Sequence, residues 1–176
     1  MKYLKYLKQL ALICVVLIGQ LFFSYLLPSP YNHVNLIIFL ILWTCLEKYS
    51  SSLFFLIFYA FLLELMSSGM FANIIGPVYL TFIIMHWFLK NIFSNHFGLS
   101  IFFSSLVAQI IYRLLNALML LINGQTKLLS FEFLIDLAWE SFFTTIIIGI
   151  IFLAIGRLGR KKTFTRFVGA DFSLKP

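Results

Sequence analysis

Residues 131–155 read FEFLIDLAWESFFTTIIIGIIFLAI, and this stretch decides the class of the fold. It is mostly apolar over more than the roughly 20 residues that an α-helix needs to cross the hydrocarbon of a bilayer. A second stretch of this kind, LSIFFSSLVAQIIYRLLNALMLLI, occupies residues 99–122 and is stopped by Asn123 and Gly124. The short polar loop between the two stretches predicts a pair of antiparallel membrane helices.

The composition of the whole chain agrees with this reading. Across 176 residues, 62% are hydrophobic, only 11% are charged, and the mean hydropathy is +1.02. Soluble domains average about 25% charged residues. Because so few charges could not cover a globular surface, we expect most of the surface to face lipid. The sequence predicts one all-α membrane domain, residues 1–176, built as a bundle of about six transmembrane helices.

Turn residues and charges separate the apolar segments. The predicted helices cover about residues 9–27, 34–46, 51–66, 73–89, 99–122 and 131–155, and a basic tail covers 156–176. The second and third helices are shorter than a comfortable span. The polar residues 47–52 form either a tight turn between two short helices or a kink in one long helix. If they form a kink, the chain has five transmembrane helices instead of six.

The placement of the basic residues favours six helices. With the N-terminus inside, all but two of the 13 Lys and Arg residues fall in inside segments. The exceptions are Lys127, in an outer loop, and Arg113, within the fifth helix. This positive-inside bias predicts that both termini are cytoplasmic. The net charge of +7 then suits anionic headgroups of the bilayer rather than nucleic acid, for which the tail carries no motif.

The N-terminal apolar stretch is longer than the usual signal-peptide core, and no small-x-small pattern closes it. We therefore expect a retained first helix. Cys14 and Cys45 both lie inside apolar runs, where small packing residues are expected. The three histidines, His33, His86 and His96, have no metal-ligand spacing.

Polar residues inside the fifth and sixth helices form the most informative pattern. One stripe on each helix predicts a buried polar seam that consists of Gln109, Arg113, Asn116, Glu132, Asp136 and Glu140. Arg113 and Glu140 each lie about ten residues from the outer end of their helix, about 15 Å deep, so we expect them to pair. Three roles stay open for the seam: polar glue between helices, a ligand or ion cavity, or contact with a partner helix.

A second candidate lies at the end of the third helix. Glu64 precedes Ser67 and Gly69 there. It is an interfacial carboxylate in contact with water, a carboxylate that holds the Ser–Gly loop, or a part of the same cavity. No nucleophile with a base, metal motif or phosphate-binding glycine loop is present, so we predict no catalytic, cofactor or metal site and no enzyme activity.

The stretch Glu64-Leu65-Met66-Ser67, followed by Gly69, resembles the Asp-Leu-x-Ser-Gly stretch of the MreD family. These are small rod shape-determining membrane proteins of the bacterial cell-elongation machinery. The order of segments, from a basic N-terminal helix to a basic C-terminal tail, is also similar. The family's Asp is Glu64 here, and its glycines fall on Ser68 and Ala72. The resemblance implies a non-enzymatic scaffold in the inner membrane that binds an MreC-type bitopic protein and supports the cell-wall (peptidoglycan) synthases.

A different class of function stays open beside it. The MreD family is similar in fold to the substrate-binding membrane subunits of energy-coupling-factor vitamin transporters, which also have six helices. In that alternative the seam of the fifth and sixth helices lines a vitamin site that opens outward. A membrane enzyme is the third possibility. A neighbouring gene for a periplasmic coiled-coil shape protein would favour the scaffold, and neighbouring ATPase genes would favour the transporter.

Overall fold

The computed structural model describes residues 2–29, 33–46, 50–66, 73–92, 97–124 and 131–159. Within these ranges the chain forms six α-helices and no strand. They are α1 (Lys2–Leu26), α2 (Ile37–Leu46), α3 (Ser50–Met66), α4 (Ile75–Ile92), α5 (Phe97–Ile122) and α6 (Phe131–Gly159). This confirms the predicted all-α class. Residues 47–49 lie outside the described residues, so the choice between a turn and a kink at this point stays a prediction.

Three of the helices are long and apolar enough to cross a membrane. The qualifying segments are Tyr6–Leu26 of α1, Ile101–Ile122 of α5 and Glu132–Ile155 of α6. α1 begins at Lys2 rather than at residue 9, and α6 continues to Gly159 rather than ending at residue 155. Basic residues are good helix formers, so a helix continues through them after the apolar run has ended.

α2 lies at the centre of the bundle. Its ten residues span only about 15 Å. The helix packs against α3, α4 and α5, and Phe39 lies 5.5 Å from Phe152 of α6, measured between ring centroids. Seven of its residues are buried: Ile37, Ile38, Phe39, Leu40, Ile41, Leu42 and Thr44. A short helix that is apolar on every side is stable only as an internal element.

Close helix contacts position α5 against its neighbours. A Cβ placed on Gly149 of α6 would come within 2.2 Å of the Phe102 ring on α5, and one on Gly76 of α4 within 2.9 Å of Met119. α5 ends at Ile122, and Gly124 just after it has a φ of 80°, the left-handed conformation that glycine adopts without strain. These contacts bring the end of α5 beside the start of α4.

Candidate functional site

The chain that leads into α2 is buried without being helical. Val34 and Leu36 are both buried, so their backbone polar groups need partners within the protein. Gln20 of α1 supplies them. The Leu36 N–H donates to Gln20 Oε1 at 2.7 Å, and Gln20 Nε2 donates to the Val34 carbonyl at 3.1 Å. One amide side chain thereby replaces the hydrogen bonds that a helix would have made.

Asn35 connects the same segment to α6. Its backbone N–H donates to Thr144 Oγ1 at 2.9 Å, and its Nδ2 donates to Glu140 Oε1 at 3.1 Å. Its Oδ1 accepts a hydrogen bond from the Ile37 N–H at 3.2 Å, which caps the first turn of α2. Asn35 therefore fixes both where α2 begins and how that end sits against α6.

The structure brings Arg113 and Glu140 together. The Arg113 Nε donates to Glu140 Oε2, and the Nη2 group of Arg113 contacts the same oxygen. The Glu140 side chain is 4% exposed, whereas that of Arg113 is 30% exposed. We call Gln20, Asn35, Arg113, Glu140 and Thr144 the polar network, because their bonds join α1, α2, α5 and α6.

Glu64 holds the start of another helix. Its carboxylate accepts hydrogen bonds from the N–H groups of Asn73, Ile74 and Ile75 at 2.9, 2.9 and 3.0 Å. The residue is 5% exposed. Free N–H groups and the positive end of the helix dipole both favour a carboxylate at a helix N-terminus. The interpretation of Glu64 as an interfacial carboxylate in contact with water is therefore wrong, because the residue is a buried cap of α4.

The other two residues of the predicted helix-end motif, Ser67 and Gly69, lie outside the described residues. Whether the carboxylate also holds the Ser–Gly loop therefore stays a prediction. The hydrogen bonds of Glu64 nevertheless join the chain on either side of residues 67–72. They connect the last turn of α3 to the first turn of α4.

A cleft of about 390 Å³ opens beside these contacts. It lies where α1 and α3 end and where α2 begins. Its polar lining comes from Gln20 and Ser24 of α1, His33 and Asn35 before α2, Tyr112, Arg113 and Asn116 of α5, and Glu140 of α6. Leu63, Met66 and Ile74 form an apolar part of the wall. The partly exposed guanidinium of Arg113 is the cationic group of this surface.

Two members of the predicted seam are not buried. Glu132 and Asp136 are both exposed, so the description of a buried polar seam is wrong for them. Residues spaced i and i+4 differ by about 40° around a helix, and those spaced i and i+8 by about 80°. From Glu140 through Asp136 to Glu132, toward the start of α6, each acidic side chain therefore points further away from α5. Only Glu140 faces inward.

The members of the seam on α5 separate into two places. Arg113 and Asn116 line the cleft. Gln109 is 0% exposed, and neither its Nε2 nor its Oε1 has a hydrogen-bond partner among the described residues. It is therefore an internal polar group of α5 rather than a part of the cleft lining.

Gln20, Asn35 and Thr144 are network residues that the sequence analysis missed. Asn35 carried a usable signal, since Asn directly before an apolar helical run is a preferred N-terminal cap. Gln20 and Thr144 carried no such signal in the sequence, because they bind backbone groups of residues 34–36, a segment with no periodic pattern.

Histidine, cysteine and acidic side chains are the candidates for metal ligands in this chain. Among the described residues, no group of three or more His, Cys, Asp and Glu side chains is placed to hold a metal ion. His33 lines the cleft, and His86 is exposed and stacks on Phe82. His96 lies outside the described residues. The arrangement can bind hydrogen-bonding or charged groups through Arg113 and can hold helix starts in place.

In comparisons with known proteins, no family model, no curated protein and no solved structure matches this chain.

Proposed function

We propose that this protein is a six-span protein of the bacterial inner membrane with both termini in the cytoplasm. α1, α5 and α6 are long enough to cross alone. α2 is too short, but the buried segment before it extends its path through the protein. Non-helical backbone at membrane depth is tolerated where protein side chains satisfy it, as Gln20 and Thr144 do here. The distribution of Lys and Arg supports the orientation.

We further propose that the protein acts as a non-enzymatic scaffold of the rod-shape (cell-elongation) machinery. Its partners in this proposal are an MreC-type bitopic membrane protein and the peptidoglycan synthases. The observation that carries the proposal is the position of Glu64. This residue is the acid of the stretch that resembles the MreD family, and it ties α3 to α4 through three backbone hydrogen bonds. An acid in that role supports a fixed arrangement of helices, which a scaffold needs in order to present a constant surface to its partners.

Deletion in the source bacterium tests the scaffold role. We expect rod-shaped cells to become round, with the uptake of vitamins unchanged. The wild-type gene should restore the rods, and so should the matched variant Glu132→Ala, which removes an exposed acid. Glu64→Ala should fail to restore them, and immunoblots of membrane fractions separate loss of the protein from loss of its function. Rods that keep their shape after a clean deletion would refute the proposal.

The cleft favours one second candidate, a substrate-binding subunit of an energy-coupling-factor vitamin transporter. Its volume of about 390 Å³ lies in the range of small-molecule sites, and Arg113 supplies a group for recognition. This candidate predicts a lost uptake of one vitamin and an unchanged cell shape in the same deletion strain. The two measurements on one strain therefore distinguish the candidates.

A further inference from the structure

We propose that the cleft binds one anionic group, a carboxylate or a phosphate, through the guanidinium of Arg113 at the N-terminal end of α2. The group belongs either to a small soluble molecule or to the headgroup of a lipid. This site goes beyond the scaffold role and does not depend on it, because it rests only on the geometry of the cleft.

The first argument is the unequal burial of the ion pair. Glu140 is 4% exposed, and its two oxygens already accept hydrogen bonds from Arg113 and Asn35. Arg113 is 30% exposed and lines the cleft. A guanidinium has five N–H donors, and the contacts with Glu140 use only Nε and Nη2. The remaining donors suit an anion that accepts two parallel hydrogen bonds.

The second argument is the electrostatic character of the cleft. Glu140 is the one acidic residue among the described residues that line it, and its charge is balanced by Arg113. Asn35 and Ile37 also line the cleft, and Ile37 is the first residue of α2. The positive end of the helix dipole, equivalent to about half an elementary charge, therefore lies at the cleft wall. Because α2 is buried, water screens that field weakly, so an anion is favoured over a cation.

The third argument concerns the rest of the ligand. Leu63, Met66 and Ile74 give the cleft an apolar part of its wall in addition to its polar lining. An anion that carries a short apolar chain would satisfy both surfaces. A fatty carboxylate and the phosphate end of an anionic phospholipid share this chemistry, so the experiment needs one arm for each source.

The first arm uses the purified full-length protein in a neutral detergent. Hexanoate is the probe, and hexanamide at equal ionic strength is the control with the same chain and no charge. We expect hexanoate to raise the melting temperature saturably and hexanamide to leave it unchanged. The second arm compares nanodiscs of phosphatidylcholine with nanodiscs that contain phosphatidylglycerol. Stabilisation that appears only with phosphatidylglycerol assigns the site to a lipid headgroup, and stabilisation by hexanoate alone assigns it to a soluble carboxylate.

A direct substitution of Arg113 would break the ion pair and could unfold the protein, so the key variant is Ser24→Trp. Ser24 is exposed, lines the cleft and is not a member of the ion pair, so an indole at this position would reduce the space in the cleft. Ile18→Trp is the matched control, because Ile18 is 65% exposed on the same helix and does not line the cleft. We expect Ser24→Trp to weaken anion binding at least about tenfold, because the indole occupies space that the ligand needs, and the control to stay within about twofold.

Any of three results would overturn the proposal. The first is a wild-type protein whose melting temperature responds to neither hexanoate nor phosphatidylglycerol. The second is equal binding of the anion by Ser24→Trp and Ile18→Trp, which would place the site elsewhere on the protein. Stabilisation by hexanamide equal to that by hexanoate would likewise show that the cleft recognises an apolar chain and not a charge.

Discussion

Replacing Glu64 by alanine removes the acceptor of three backbone N–H groups at the start of α4. The site is 5% exposed, so water replaces that acceptor poorly. A buried donor left without a partner costs about 1–3 kcal/mol, and loss of a helix cap alone costs up to about 2 kcal/mol. We therefore expect Glu64→Ala to destabilise the protein by roughly 3–5 kcal/mol. This value is at the lower end of the summed costs of the three unpaired donors, because the first turn of α4 can fray and so relieve part of the loss.

Glu64→Gln sharpens the same prediction. Oε2 of the carboxylate accepts from both Ile74 and Ile75, whereas Oε1 accepts from Asn73. The amide of glutamine keeps one acceptor oxygen. Its NH2 group is a donor, so it would face the backbone N–H that the other carboxylate oxygen had accepted from. We expect glutamine to cost about half as much as alanine, since one of the two oxygens survives.

Thermal unfolding in detergent, followed by intrinsic tryptophan fluorescence, measures these effects. A change of 1 kcal/mol shifts the melting temperature by about 2–4 °C for a chain of this size, so Glu64→Ala should lower it by at least about 6 °C. Glu132→Ala, which removes an exposed acid from the first turn of α6, is the control and should change stability by less than about 1 kcal/mol. Equal melting temperatures for the Glu64 and Glu132 variants would refute the capping role.

Two further predictions concern packing and orientation. Gly149→Ala should cost about 1–3 kcal/mol because its Cβ would overlap the Phe102 ring, and Phe102→Leu in the same chain should recover part of that loss in the melting temperature; additive losses would contradict the contact. In a chain whose Cys14 and Cys45 are replaced by serine, single cysteines in loops 28–33 and 123–130 should react with an impermeant thiol reagent added outside the cell, and cysteines at residues 90 and 161 should not. A reactive residue 161 in intact cells would contradict the cytoplasmic C-terminus.

The helices themselves were predictable because apolar length and turn residues encode them. Each predicted helix overlaps one observed helix. The predicted and observed helix ends differ where a helix continues beyond its apolar segment. α1 starts seven residues before Gln9, since Lys2, Lys5 and Lys8 continue the helix without adding to its hydropathy.

The candidate site was predictable only in part. Depth along two antiparallel helices is enough to match Arg113 with Glu140, because a rise of 1.5 Å per residue is the same in both. The roles of Gln20 and Asn35 depend on the path of an irregular segment, and no period in the sequence encodes that path. Glu132 and Asp136 show the limit of spacing arguments, because a small angular drift at each step is enough to move a side chain from the interior to the surface.

The Arg113–Glu140 pair holds α6, and through Asn35 the start of α2, against α5, and a double-mutant cycle on this pair measures that role. Arg113→Met and Glu140→Gln are measured singly and together by thermal unfolding. Glutamine keeps an acceptor for Asn35, so the cycle isolates the pair. Breaking a buried pair costs about 3–5 kcal/mol, and we expect the lower end because Arg113 is 30% exposed.

We expect the double variant to be more stable than the sum of the single losses implies, by roughly 1–3 kcal/mol of coupling. Single losses that simply add, with no coupling between the two positions, would show that the two side chains do not meet.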